Sequence, residues 1–196
     1  LDRIRFMTSH PKDLSDRLIV AFGECEKLCK YIHLPVQAGS SRVLERMNRR
    51  YSREDYLELI RKLRAAVPDI AISTDIIVGF PGETDELFME TYVFLRDVIR
   101  PAFIHIFPYS KRAGTPAAER KDQVQDCVKT KRVQMLEELC SELHQEFIES
   151  NKGISEKVLF ESTDRKGQME GYTGNYIRIS RPYDPELIGK IVDVVI

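Results

Sequence analysis

Thr74-Asp75-Ile76-Ile77-Val78-Gly79-Phe80-Pro81-Gly82-Glu83-Thr84 is the stretch on which the fold turns. Residues 70–78 are mostly apolar, as a parallel strand buried on both faces should be. Gly79, Pro81 and Gly82 then turn the chain, and Thr84 supplies an N-cap hydroxyl for a helix running to about residue 98. A strand passing through a short turn into a helix is one β/α unit. Outward from it, the same unit recurs. Residues 4–8 read as a strand closed by Ser9-His10-Pro11, and 12–29 as a helix with Leu14, Leu18, Ile19, Phe22, Cys25, Leu28 and Cys29 on one face. Residues 31–36 read as a strand, 41–48 and 53–66 as helices, the latter opened by Ser52 and Asp55, and 102–107 as a further strand. Strict strand–helix alternation implies parallel strands with crossover helices. Four such strands make half of an eight-unit barrel or most of an open sheet, and periodicity alone does not separate the two.

Beyond residue 107 the pattern changes. Residues 108–123 are irregular and rich in Lys, Arg, Gly and Pro, and a long helix follows over about 122–151. Asn151-Lys152-Gly153 is a stop signal. Short alternating strands at 157–161, 168–172, 176–180 and 189–195 then read as a small antiparallel β-domain, a barrel or half of one. The expected division is 1–150 and 151–196, with the smaller unit leaning on the long helix because its own core is marginal.

Composition narrows the classes. The chain is 42% hydrophobic and 31% charged with a net charge of −1, so it can bury a core and has no overall basic field. There is no run of apolar residues long enough to span a membrane and no signal peptide. Four cysteines, few and without disulfide spacing, suit the cytoplasm. The opening Leu-Asp-Arg, already entering a strand, reads as the start of a piece cut from a longer protein.

In folds of this class ligands bind at the carboxy ends of parallel strands. Those ends hold Ser9-His10, Gln37, 79–83 and Pro108-Tyr109. Asp75 lies inside a strand and needs a partner there, either a ligand hydroxyl or amine or an internal cation. Gly79 and Gly82 permit close backbone approach to a ligand or simply a tight turn, and Gln37 suits an adenine edge, a carboxylate or a turn cap. Cys25 and Cys29 have CxxxC spacing, but the next position of a CxxxCxxC set is Ile32, so both read as core. Cys127 and Cys140 read as core or boundary, and His10, His33, His105 and His144 form no metal set by spacing. Lys111-Arg112, the group Lys129, Lys131 and Arg132, and the mix of Tyr172, Tyr176, Arg178 and Arg181 could grip single-stranded RNA by stacking and phosphate pairing, or be ordinary solvated faces.

Several stretches together resemble the radical-SAM methylthiotransferase family. They are 5–11, His33-Leu34-Pro35-Val36-Gln37-Ala38-Gly39-Ser40 with Val43, Leu44, Met47 and Arg49, the opening 74–84 stretch, Phe107-Pro108-Tyr109-Ser110 with Gly114-Thr115-Pro116-Ala117, and Gly171-Tyr172-Thr173-Gly174-Asn175-Tyr176. Ala38 departs from the family's serine. The resemblance covers nearly the whole chain in order. It implies an α/β fold: the carboxy-terminal half of a radical-SAM partial (β/α) barrel in 1–150, then a small antiparallel OB-like β-barrel, the TRAM RNA-binding domain, in 151–196.

It further implies that S-adenosyl-L-methionine is bound by Ser9, Gln37, Arg49 on its carboxylate, Asp75 on its ribose hydroxyls, Gly79, and the backbone near Phe107 and Pro108. RNA contacts fall to Lys111, Arg112, Tyr172, Tyr176 and Arg178. The family uses a [4Fe-4S] cluster to cleave S-adenosylmethionine to a radical that abstracts hydrogen, and a second cluster for sulfur insertion. No residue here matches the ligands of either, so the parent is expected to be the enzyme and this chain inactive alone. The partner implied is the anticodon loop of tRNA. The residues after the last barrel strand and at 171–173 most resemble the branch acting on N6-threonylcarbamoyladenosine. Alternatives are the isopentenyladenosine branch, a ribosomal-protein aspartate, or an RNA-binding module without catalysis. An open half barrel would also leave an edge strand able to pair in a dimer.

Overall fold

The computed structural model describes residues 1–7, 10–161 and 167–196. Its first sheet is parallel, three-stranded and ordered β1-β2-β3, with β1 Tyr31–His33, β2 Ala71–Val78 and β3 Phe103–Pro108. In register, His33 faces Ser73 and Asp75 faces His105. Strand geometry sends alternate side chains of β2 to opposite faces. Ile72, Ile76 and Val78 enter the main core with Tyr56, Ile60 and Leu63 of α3 (Arg53–Ala66) and Phe88 of α4 (Asp85–Val93). Leu136, Leu139 and Leu143 of α6 (Asp126–Asn151) complete that layer. Ser73, Asp75 and Ile77 take the other face, the more open of the two: Asp75 and Ile77 are half-buried, although Ser73 is fully buried.

The helices form where their signals predict. The α3 boundaries match the sequence reading, because Ser52 and Asp55 close a reciprocal capping box and Val67-Pro68 ends the run. Helix α1 (Asp16–Glu24) is shorter than the expected 12–29: Pro11–Asp13 form a separate 3-10 turn, Ser15 caps the helix, and Cys25 leaves it. Helix α2 (Ser41–Arg46) ends two residues before the expected 48, and the Ser40 side chain makes no cap bond. Helix α4 widens into a π-type turn over Phe94–Ile99, closed by Arg100 at φ +46 donating to Leu95. Thr115 caps the short α5 (Pro116–Glu119).

One expected strand is not there. Where 4–8 should pair, the described residues give a single parallel bridge, Ile4 to Leu28. The reason is that Arg3 and Arg5 turn away to a second sheet. That sheet is antiparallel, ordered β6-β5-β4-β7, with β4 Ser155–Glu161, β5 Gln168–Tyr172, β6 Arg178–Pro182 and β7 Ile191–Val195. Val158, Phe160, Met169 and Val194 form its core. Gly171 is required there: a Cβ would sit 2.5 Å from the Leu159 carbonyl oxygen across the β4–β5 pairing. Arg3 donates to the carbonyls of Tyr172 (3.1 Å) and Lys157 (3.0 Å), and Arg5 to that of Thr173 (3.2 Å). Asn175 donates to Asn151 at the end of α6 (2.9 Å), a second tie between the sheets. Among the described residues no helix is long and apolar enough to cross a membrane.

Candidate functional site

The more open face of the first sheet carries polar and aromatic side chains from all three strands. Tyr31 and His33 come from β1, Ser73 and Asp75 from β2, and Phe103, His105 and Phe107 from β3. They form a hydrogen-bonded line. The Tyr31 hydroxyl and Ser73 Oγ are 2.6 Å apart, Ser73 Oγ and His33 Nδ1 2.8 Å, and His33 Nε2 and Asp75 Oδ1 3.2 Å. Burial, with the Ser73 bond opposing it, holds the Tyr31 phenol above its usual range. His105 packs edge-on to His33 at 5.3 Å between centroids, and burial followed by the charge of His33 lowers its pKa. The partner that Asp75 required is therefore a histidine of the same face, where the sequence reading had allowed a ligand or an arginine.

At the carboxy end of this face the chain makes a strained return. Gln37 has φ +72, a left-handed conformation that costs a non-glycine residue about 1–2 kcal/mol. Two backbone bonds hold it: Gln37 donates to the Asp75 carbonyl and Ile77 donates to the Gln37 carbonyl, both at 2.9 Å. The Thr74 hydroxyl serves the skipped residues by accepting from Val36 and donating to Leu34, each at 2.9 Å. Gln37 thus sits one strand over from Asp75, near the end of the sheet where Phe107 and Pro108 close β3. Arg49 follows α2 just beyond Gln37, its amide bonded to the Leu44 carbonyl. Asp75, Gln37 and Arg49 offer a carboxylate, a carboxamide and a guanidinium, and the Arg49 charge acts on the Tyr51 phenol, whose hydroxyl donates to the Val36 carbonyl at 3.2 Å.

Other expectations resolve differently. Ser9 lies outside the described residues. Gly79 (φ +74) is accounted for within the chain: its amide donates to Glu83 at 2.8 Å, and a Cβ there would collide with the Lys129 side chain. Arg132 is unavailable to RNA. It is 4% exposed, bonded to Glu83 Oε1 and Asp85 Oδ1 at 2.7 Å each, and its guanidinium lies over Phe88. Lys129 is likewise engaged, with the Tyr109 carbonyl and Asp126. Tyr172 and Tyr176 are engaged within the chain: Tyr176, 42% exposed, stacks on Tyr31 at 4.6 Å, half-buried Tyr172 tilts against it at 5.0 Å, and Arg5 lies over the Tyr176 ring. Tyr31 pairs with Ala71 and Gln37 bridges Ile76, five residues on, which separates this stack from Gln37 by about 16 Å. Lys111 and Arg112 remain exposed and in no ion pair among the described residues, and Arg178 reaches Glu170 at 3.6 Å. Cys29 is buried and accepts from Arg3, Cys140 is buried, and Cys127 is exposed rather than core because it opens α6 on its solvent side.

What spacing concealed was the meeting of His33, Asp75 and His105, whose ligand atoms all lie within 4.8 Å of one another. They stand on three different strands, so no local motif joins them. Strand periodicity placing all three on one face was the available signal.

The parallel sheet with its crossover helices is the frame of an α/β fold, and residues 1–95 match the Radical SAM superfamily. Two solved structures share the fold. Escherichia coli coproporphyrinogen III oxidase (HemN), a radical SAM enzyme, aligns with TM-score 0.57 and 19% identity over 72% of this chain and 32% of its own. Methanocaldococcus infernus Elp3 with an amino-terminal deletion aligns with TM-score 0.54 and 15% identity over 91% and 57%. Within that fold, this chain belongs to the radical-SAM methylthiotransferase family. It is 47% identical over 198 residues to the tRNA-2-methylthio-N(6)-dimethylallyladenosine synthase of Thermoanaerobacter sp. (strain X514), covering 100% of this chain and 42% of that protein. It is 46% identical over 199 residues to the enzyme of that name from Clostridium botulinum (strain Okra / Type B1), covering 100% and 44%. The chain thus spans less than half the length of these curated relatives.

Proposed function

We propose that the chain serves a tRNA methylthiotransferase acting on a modified adenosine beside the anticodon. In this reading residues 1–150 are the later part of the radical-SAM barrel and 151–196 a TRAM-type RNA-binding domain. The observation that carries it is the juxtaposition of Gln37, held at positive φ, with Asp75 on the more open face of the sheet. Asp75 accepts from the ribose hydroxyls of S-adenosylmethionine, Gln37 and the backbone near Phe107 and Pro108 meet the adenine, and Arg49 pairs the methionyl carboxylate. When bound, with an iron–sulfur cluster held by residues beyond this chain, that cofactor supplies the radical chemistry that activates an inert C–H bond. The residues here bind and orient it, and the chain alone is inactive. The setting is the cytoplasm, where tRNA is modified.

The nucleoside has two readings. Lys111 and Arg112, exposed beyond the end of β3, suit the carboxylate of threonylcarbamoyladenosine, because charge-assisted pairs are strong. The names of the relatives favour dimethylallyladenosine. Mass spectrometry of tRNA nucleosides from cells lacking the gene decides: loss of one methylthio nucleoside with accumulation of its precursor identifies the substrate. An unchanged profile for both would overturn the tRNA reading.

Both outer strands of the three-stranded sheet have an unpaired edge among the described residues, and an open edge recruits further strands. Pairing of two copies there is expected to give a dimer in light scattering, and a monomer at high concentration would count against it.

A further inference from the structure

We propose that His33, Asp75 and His105 form a binding site for one divalent transition-metal ion. Three adjacent parallel strands each supply one ligand on the same face, with the donor atoms within 4.8 Å of one another. The set is already oriented. Ser73 Oγ holds His33 Nδ1 at 2.8 Å and is itself braced by the Tyr31 hydroxyl at 2.6 Å, so Nε2 is the atom turned to Asp75. A metal-ligating histidine is commonly fixed in this way through its other ring nitrogen, and such outer partners tune both tautomer and affinity.

Bonds of about 2.0–2.2 Å to nitrogen and oxygen place ligand atoms about 3.0–3.5 Å apart. His33 Nε2 and Asp75 Oδ1 stand at 3.2 Å, within that spacing. His105 is exposed and directly in register with Asp75, with a ring nitrogen within 4.8 Å of the other two ligand atoms. Two imidazoles and a carboxylate favour zinc, cobalt, nickel or ferrous ions over magnesium and calcium, which prefer all-oxygen sites. Three protein ligands leave at least one position for water or substrate. The site does not depend on the nucleoside reading. It shares Asp75 with the proposed cofactor site, whereas His33 and His105 play no part there.

The test titrates cobalt(II) chloride into the full chain under reducing conditions, following visible d–d absorption. One ion per chain is expected. His33→Ala and His105→Ala should each weaken binding roughly tenfold or more, and Ser73→Ala, which removes only the outer brace, by about tenfold. The pair Cys25→Ser and Cys29→Ser should leave affinity and spectrum unchanged. Because His105 is exposed, its variant should keep the wild-type circular dichroism; His105→Gln, which retains bulk without an imidazole, repeats the test if it does not. Unaltered cobalt affinity in the His105 variants, absence of binding to the folded wild type, or loss of the signal in the cysteine variant would each overturn the proposal.

Discussion

Replacing Arg132 with methionine is expected to cost about 3–5 kcal/mol of stability, the scale for leaving a buried charge without its partner. The Glu83 side chain is 2% exposed and that of Arg132 5%, so solvent cannot replace the lost guanidinium. Burial already holds the Glu83 carboxyl above its ordinary range, opposed by the Gly79 amide and then by Arg132. Without Arg132 it rises further. A carboxyl whose folded pKa exceeds its unfolded one binds more protons when folded, so stability is retained below the unfolded value and lost as pH rises through the folded one. The deficit of R132M in urea melts should therefore shrink as pH falls toward the carboxylate range. Adding Glu83→Gln removes the orphaned charge while keeping an acceptor for Gly79, and should restore at least half the loss. A deficit under about 1 kcal/mol, or no recovery in the double variant, would show that the pair does not anchor α6 to the turn after β2.

Asp75→Ala in the full-length enzyme is expected to weaken S-adenosylmethionine binding about ten- to hundredfold, the equivalent of a charge-assisted hydrogen bond worth about 1.5–3 kcal/mol. Affinity for tRNA should hardly change, because Lys111 and Arg112 stand in a separate exposed loop and Arg178 on the other sheet. Calorimetric titration of each ligand separates the outcomes. Equal loss of both would mean misfolding, and undiminished cofactor binding would remove Asp75 from the site. Since Asp75 also faces His33, the His105 variants are the ones that separate metal binding from cofactor binding.

The sequence was most legible where a signal was local. Ser52 and Asp55 with Pro68 bounded α3, and the apolar run before Gly79 gave β2 to within a residue. Legibility failed where distant segments compete for the same groups. The 4–8 stretch has strand composition, yet Arg5 within it and Arg3 just before it are drawn to the carbonyls of Thr173 and Tyr172, and that docking is written in no local pattern. Arg132 looked like one of several surface cations, although it falls in the apolar stripe of Val128, Leu136, Leu139 and Leu143. A cation on a buried stripe is itself the sign of a buried partner. Tyr172 and Tyr176 had the composition of a stacking platform, and the structure stacks Tyr176 on Tyr31 with Tyr172 against it, leaving Tyr176 partly exposed. Gln37 and Asp75 were readable as strand-end and in-strand polar residues; that a positive φ brings Gln37 beside β2 was not.

The clasp between Arg3 and Tyr172 joins residues 169 apart, and that between Arg5 and Thr173 residues 168 apart. Contacts of such separation are slow to form, since the intervening chain must first be confined. Helix α6 does part of that work: 26 residues at 1.5 Å each make a rod of about 39 Å that delivers the second sheet to Arg3 and Arg5. On a ribosome, where the amino end emerges first, β1 to β3 and their helices can assemble while Arg3 and Arg5 wait in solvent for β4 and β5 to be synthesised. The clasp thus closes late, once β4 and β5 are made, with β6 and β7 still to join the second sheet, and the order of assembly runs from the parallel sheet outward.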